Sequence, residues 1–123
     1  MHGKNNYPFK KEISNLDIEL DNNTSDDLYL SILHETLPQL IADERPDFVF
    51  YLSGVDVLST DKLGKINLTL EGCKARDAYV LQTCKDLNIP VMCSMGGGYS
   101  PELKTIIEAH ANIFRLAQDI YFT

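Results

Sequence analysis

Two short apolar runs, Phe48-Val49-Phe50-Tyr51-Leu52 and Val91-Met92-Cys93-Ser94, each give way to glycine and then deliver one chemically capable side chain, Asp56 or Tyr99. An apolar run without polar alternation is the pattern of a strand covered on both faces. Around the two runs lie longer amphipathic stretches, so the order reads helix, strand, helix, strand, helix. That alternation predicts an α/β chain with a parallel sheet and helices on its faces. Residues leaving the carboxyl ends of such strands line ligand crevices, which makes Asp56 and Tyr99 the first candidates for a site. Two strands are too few to stand alone, because they leave unpaired edges and open apolar faces. The sequence reads as the end of a larger domain.

Local signals place the other elements. Residues 1–23 read as irregular, with Tyr7-Pro8-Phe9 and Asp21-Asn22-Asn23 as punctuation. Thr24 and Asp27 have the spacing of a capping box and predict a helix start at Thr24 or Ser25. Leu30, Leu33, Leu37, Leu40 and Ile41 recur at helical spacing, while Pro38 predicts a kink or break and Arg45-Pro46 the end. Ser59–Thr69 reads as a loop and Glu71–Leu87 as a second helix. Ser100-Pro101-Glu102 predicts the opening of a third helix, with cap, proline and acid in the favoured order.

The 123 residues set a ceiling of one domain. The formal charge of -7 argues against a nucleic-acid surface, since no Lys/Arg cluster is present to neutralise phosphates. Many of the acids fall in Asp17–Asp27, which reads as a solvated loop. No apolar stretch approaches the roughly 20 residues of a membrane span. Met1–Asn6 lacks the apolar core of a secretory signal. Cys73, Cys84 and Cys93 are odd in number and lack C-x-x-C spacing, so they read as buried or half-buried thiols of a reducing cytosol.

The residues themselves leave alternatives open. An Asp after Gly54-Val55 is either a turn or cap residue or a ligand. Gly96-Gly97-Gly98 ahead of a helix could cradle an anion, yet it has neither the dinucleotide nor the P-loop spacing. Tyr99 beside it is either a packed aromatic or an adaptable hydrogen-bond donor. His2, His34 and His110 form no metal-binding pair, and no serine sits in a G-x-S-x-G elbow.

Taken together, these segments resemble a family. Gly54-Val55-Asp56 through Asp61-Lys62-Leu63-Gly64 resembles the "GVD…GD.LG" segment of the histone deacetylases, including bacterial acetoin-utilisation, acetylpolyamine and class IV-like members. Leu68–Gly72 with the Arg76-Asp77 helix, the "GGGY" of Gly96–Tyr99, and Met1–Phe9 are similar to it in the same order. The resemblance implies a zinc-dependent amide hydrolase on the three-layer α/β/α arginase/deacetylase fold with a parallel sheet. Asp56 would be one of three protein zinc ligands, and Tyr99 the donor to the substrate carbonyl and its oxyanion. Gly97 and Gly98 would let an acyl-lysine stem pass, while Tyr7 and Leu63 would line the substrate tunnel.

The departure from the family pattern carries equal weight. Its D-x-H segment, source of the other zinc ligands, and its His-His base are both absent from this sequence. The expectation is therefore that residues 1–123 form the C-terminal half of a cytoplasmic deacetylase acting on an acetylated lysine or polyamine. It would be inactive alone and would not retain zinc. Its origin would be a truncated reading frame, a degenerate copy, a cut piece, or a subunit that pairs with a separately encoded N-terminal half. The reading set against it is a non-catalytic acidic α/β binding module that uses Gly96–Gly98 for an anion or a protein partner. Neither reading predicts a nucleic-acid or membrane partner.

Overall fold

The two apolar runs form the parallel pair at the centre of the molecule, in a computed structural model that describes all residues, 1–123. In chain order the elements are β1 (His2–Gly3), β2 (Glu19–Leu20), α1 (Asp26–Glu44), β3 (Val49–Gly54), α2 (Leu70–Asp86), β4 (Val91–Gly96) and α3 (Leu103–Tyr121). β3 and β4 run parallel from Val49 opposite Val91 to Gly54 opposite Gly96, so both strands end level at glycine. β1 and β2 form a second, very short parallel pair inside the segment expected to be irregular. Two-residue strands carry no periodicity that a sequence could reveal. No helix is long and apolar enough to cross a membrane.

Alternation along β3 sends Val49, Tyr51 and Ser53 to one face and Phe48, Phe50 and Leu52 to the other. The first face packs on helices. Val49, Tyr51 and Val91 join Leu33 of α1, Val80 and Cys84 of α2, Leu20 of β2, and Ile66 and Leu68 from the loop before α2. A smaller cluster of Val55, Leu58, Cys73 and Ala109 ties α2 to α3 below the strand ends. The second face is bare: Phe50 is 76% and Leu52 67% exposed, with Met92 beside them. The expected strand is present, but its expected cover on both faces is not. Apolar sequence marks what needs burial, and this chain brings helices to one side only.

Helix boundaries show where non-local contacts prevail over local signals. The Thr24 hydroxyl donates to the Asp21 carbonyl at 2.7 Å instead of capping α1, whose first flanking residue, Ser25, makes no side-chain cap. Asp26 reaches across to α2, accepting from the Thr69 amide (2.9 Å) and the Thr69 hydroxyl (2.6 Å). Thr69 in turn caps α2 by accepting from the Gly72 amide at 2.9 Å. α1 runs unbroken through Pro38. Proline removes the amide that would bond the His34 carbonyl, and that carbonyl instead accepts the Tyr79 hydroxyl at 3.4 Å. α3 begins at Leu103, later than expected, because Pro101 lies in a bend and Glu102, the flanking residue, is extended.

Beneath β3 lies a buried polar cluster. Asp77 accepts from Arg76 Nη2 (2.8 Å), Arg76 Nε (3.0 Å) and the Tyr51 hydroxyl (2.5 Å). Arg76 Nη1 then donates to the Gly54 carbonyl at 2.7 Å. A charge pair buried this deeply is tolerable because every formal charge has hydrogen-bonded partners. Its effect is to anchor the end of β3, two residues before Asp56.

Candidate functional site

Asp56 leaves β3 immediately after the anchored Gly54, and glycines close around it. A Cβ on Gly64 would lie 1.9 Å from the Asp56 carbonyl oxygen, and one on Gly97 only 2.8 Å from Asp56 Cβ. Gly97 also holds φ +67°, a conformation that side chains other than glycine rarely adopt. Both positions therefore demand glycine, one for space and the other for space and backbone shape. Asp56 is wedged between the two, its backbone carbonyl against Gly64 and its side chain against Gly97 in the loop that follows β4.

Asp61 binds those two loops together. Its Oδ1 accepts from the Leu63 and Gly64 amides at 2.9 and 2.8 Å, and its Oδ2 accepts from the Tyr99 amide at 2.8 Å. The Lys62 amide donates back to the Tyr99 carbonyl at 3.3 Å. Tyr99 is thus held by its backbone while its ring stays 58% exposed, free to meet a ligand. The sequence offered a signal for this residue: Asp61 followed by Gly64 is the pattern of a carboxylate accepting from the amides of its own turn. Its bond to Tyr99 spans 38 residues and has no sequence signature.

The six positions singled out from sequence therefore meet the structure differently. Asp56, Gly97 and Gly98 share one corner with the Tyr99 backbone, Gly98 lying against Ile106 and near His110, both of α3. Leu63 belongs to the Asp61 turn and is exposed. Tyr7 sits on the N-terminal loop, 85% exposed, its ring edge-on to Phe9. That loop is bound to the same corner, because Asn6 Oδ1 accepts from the Lys65 amide at 3.0 Å. The expected thiols are all unpaired: Cys73 and Cys84 are buried and Cys93 half-buried. Burial pushes the Cys73 thiol up to about 11, so it stays protonated under Asp56 at neutral pH.

The donor set decides what this corner can hold. Asp56 offers one anionic oxygen, and nowhere does the chain gather three His, Cys, Asp or Glu side chains able to hold a metal. Catalytic zinc uses three protein ligands with one position left open. The residues present do not make a zinc centre by themselves. Carboxylates at 56 and 61 beside the glycine loop also oppose an anion there, and the Tyr99 amide is already taken by Asp61.

Residues 1–114 match the family model described as Histone deacetylase domain. An uncharacterized protein of Picosynechococcus sp. is 40% identical over 121 residues, 98% of this chain and 40% of that protein. Histone deacetylase 2 of Arabidopsis thaliana is 29% identical over 110 residues, 87% of this chain and 28% of that protein. Among solved structures, an acetylpolyamine aminohydrolase from Burkholderia pseudomallei superposes with TM-score 0.76 at 17% identity, covering 97% of this chain and 36% of the other. A histone deacetylase homologue complexed with SAHA gives TM-score 0.67 at 21% identity, covering 98% and 39%. The fold is that of the arginase/deacetylase proteins, and the chain spans about two fifths or less of the length of these relatives.

Proposed function

This chain belongs to the histone deacetylase family, and from that premise we propose that it supplies part of the active corner of a zinc-dependent deacetylase. Residues 1–123 constitute a partial domain, its C-terminal portion. Asp56 serves as one zinc ligand and Tyr99 as the donor to the acyl carbonyl. Gly97, Gly98, Tyr7 and Leu63 border the path of an acetylated lysine or acetylated polyamine. The observation that carries the reading is the corner itself: Asp56 fitted with its backbone carbonyl against Gly64 and its side chain against Gly97, with Tyr99 bound to the same turn through Asp61. A phenol held by its backbone suits the stabilisation of charge developing on an oxyanion, where one donor contributes about 3 kcal/mol. Zinc, when bound in the complete domain, would supply the polarised water and carbonyl that amide hydrolysis needs.

By this reading the chain alone is inactive and does not retain zinc, because two ligands and the histidine base lie outside it. The base alone accounts for roughly 10²–10⁴-fold of rate in reactions of this kind. Complementation by an N-terminal portion, in the same or another polypeptide, restores both in a cytoplasmic enzyme.

The test uses this chain joined to the portion that its longer relatives possess. Asp56→Ala should abolish zinc retention. Tyr99→Phe should keep the metal and lose turnover of an acetyl-lysine peptide or an acetylpolyamine, because its hydroxyl acts mainly as charge develops. Metal stoichiometry and kcat are measured side by side. Near-normal turnover by Tyr99→Phe would remove Tyr99 from the mechanism, and full zinc retention by Asp56→Ala would remove Asp56.

A further inference from the structure

The peptide between Gly54 and Val55 is held at both of its polar atoms. Its carbonyl accepts from Arg76 Nη1 at 2.7 Å, and its N–H donates to the Gly96 carbonyl at 2.9 Å. A peptide unit is planar, so hydrogen bonds on its opposite edges stop it turning about the bonds that flank it. Val55, buried, alone separates that unit from Asp56. The Asp56 side chain also leans back on it, since a Cβ on Gly54 would lie 2.9 Å from Asp56 Oδ1. Any rotation of this peptide would therefore carry the carboxylate with it.

The guanidinium of Arg76 is fixed for that hold. Neighbours i and i+1 on a helix do not ordinarily face each other, yet Arg76 Nε and Nη2 both reach Asp77 Oδ1, at 3.0 and 2.8 Å. Tyr51 of β3 donates to the same oxygen at 2.5 Å, and Arg76 Nη2 also faces Cys73 Sγ at 3.5 Å. These contacts set the plane of the guanidinium and leave Nη1 aimed at Gly54. Lysine, with a single ammonium, could not span Asp77 and Gly54 together. As core filling the pair is a poor choice, because apolar side chains of similar volume often serve stability as well or better. The one hydrogen bond that Arg76 makes outside α2 goes to the strand end that leads into Asp56.

We propose that Arg76 is the positioning residue of Asp56, acting through the Gly54–Val55 peptide, with Asp77 and Tyr51 holding the guanidinium in turn. The inference rests on the function proposed above and adds to its machinery a residue that touches neither substrate nor metal. Geometry rather than charge passes along this path, because the guanidinium charge is paired with Asp77. Partners placed one step behind a metal ligand typically set ~10–100-fold of metal affinity.

The test uses this chain joined to the portion that its longer relatives possess. Tyr51→Phe, Arg76→Met and Asp77→Leu together replace the network with apolar side chains and strand no charge, so this variant should melt no lower than the parent. In metal-free protein its Val55 amide should exchange at least ~10-fold faster. The Val49 amide, bonded to the Pro90 carbonyl at the other end of β3, should not change. Zinc affinity, measured by competition with a chelator, should fall at least ~10-fold. Arg76→Lys keeps the charge but not the fork, and should move both readouts the same way; it decides the matter if the triple variant does not fold. Parent-like zinc affinity, equal acceleration at Val49 and Val55, or parent-like behaviour of Arg76→Lys would overturn the proposal. Zinc retention by Asp56→Ala would overturn the proposed function instead, while the ratio of Val55 to Val49 exchange would still decide whether Arg76 holds the peptide.

Discussion

Replacing Asp61 with Asn should loosen Tyr99 while leaving the turn after β3 in place. The wild-type carboxylate is 8% exposed and accepts from three backbone amides, two through Oδ1 and one through Oδ2. Asn keeps one acceptor oxygen, which can serve Leu63 and Gly64, and presents an NH₂ group to the Tyr99 amide, donor against donor. A hydrogen bond to a charged acceptor contributes about 1.5–3 kcal/mol, so Asp61→Asn should cost about 2 kcal/mol. Asp61→Ala strands all three amides and should cost about 4–5 kcal/mol, close to the whole stability of many small domains. The informative assay is residue-resolved amide exchange. In Asp61→Asn the Tyr99 amide should exchange ~30-fold faster, the equivalent of 2 kcal/mol, while Leu63 and Gly64 change little. Unchanged protection at Tyr99, or an Ala variant less than about 1 kcal/mol weaker in urea unfolding, would refute the claim that Asp61 holds the two loops together.

Three further outcomes follow from other groups. Burial raises the folded-state Cys73 pKa from 9.0 to about 11, so between those pH values the unfolded chain has lost a proton that the folded chain keeps. Stability from this thiol is complete below pH 9 and should fall as pH rises toward 11, by up to roughly 2–3 kcal/mol, and urea midpoints across that window would check it. Asp26→Ala removes both acceptors of Thr69 and should cost about 1–2 kcal/mol in urea unfolding. Gly72→Ala should cost a similar amount, because its Cβ would lie 2.0 Å from Asp26 Oδ1 and expel that carboxylate.

The legible parts of the sequence were those in which one local pattern decides the outcome. Apolar runs ended by glycine located β3 and β4, and with them Asp56 and Tyr99 at the strand ends. Helical spacing located α1, α2 and α3, although not their first residues. The illegible parts depend on contacts between distant residues. Thr24 has the spacing of a cap, yet its hydroxyl is satisfied at Asp21, and the carboxylate that matters at this junction, Asp26, serves a helix beginning more than forty residues later. Asp61 and Gly64 mark a turn in the sequence, but the bond from Asp61 to Tyr99 crosses two loops and has no local pattern. The bare face of β3 was misjudged for a different reason: Phe48, Phe50 and Leu52 show that cover is required, whereas only packing shows whether it is present.

These contrasts explain why one end of the sheet is better determined than its flanks. At the strand ends, every constraint is satisfied inside the chain: Arg76 on Gly54, Gly64 and Gly97 against Asp56, Asp61 on Tyr99. Along the flanks, the far edge of β3 and the faces of Phe50 and Leu52 have nothing to pair with. Hydrogen-bonded turns need only a few residues to form, whereas sheet burial is collective and fails when neighbours are missing. A corner built from turns can therefore hold its geometry although one face of the sheet is bare.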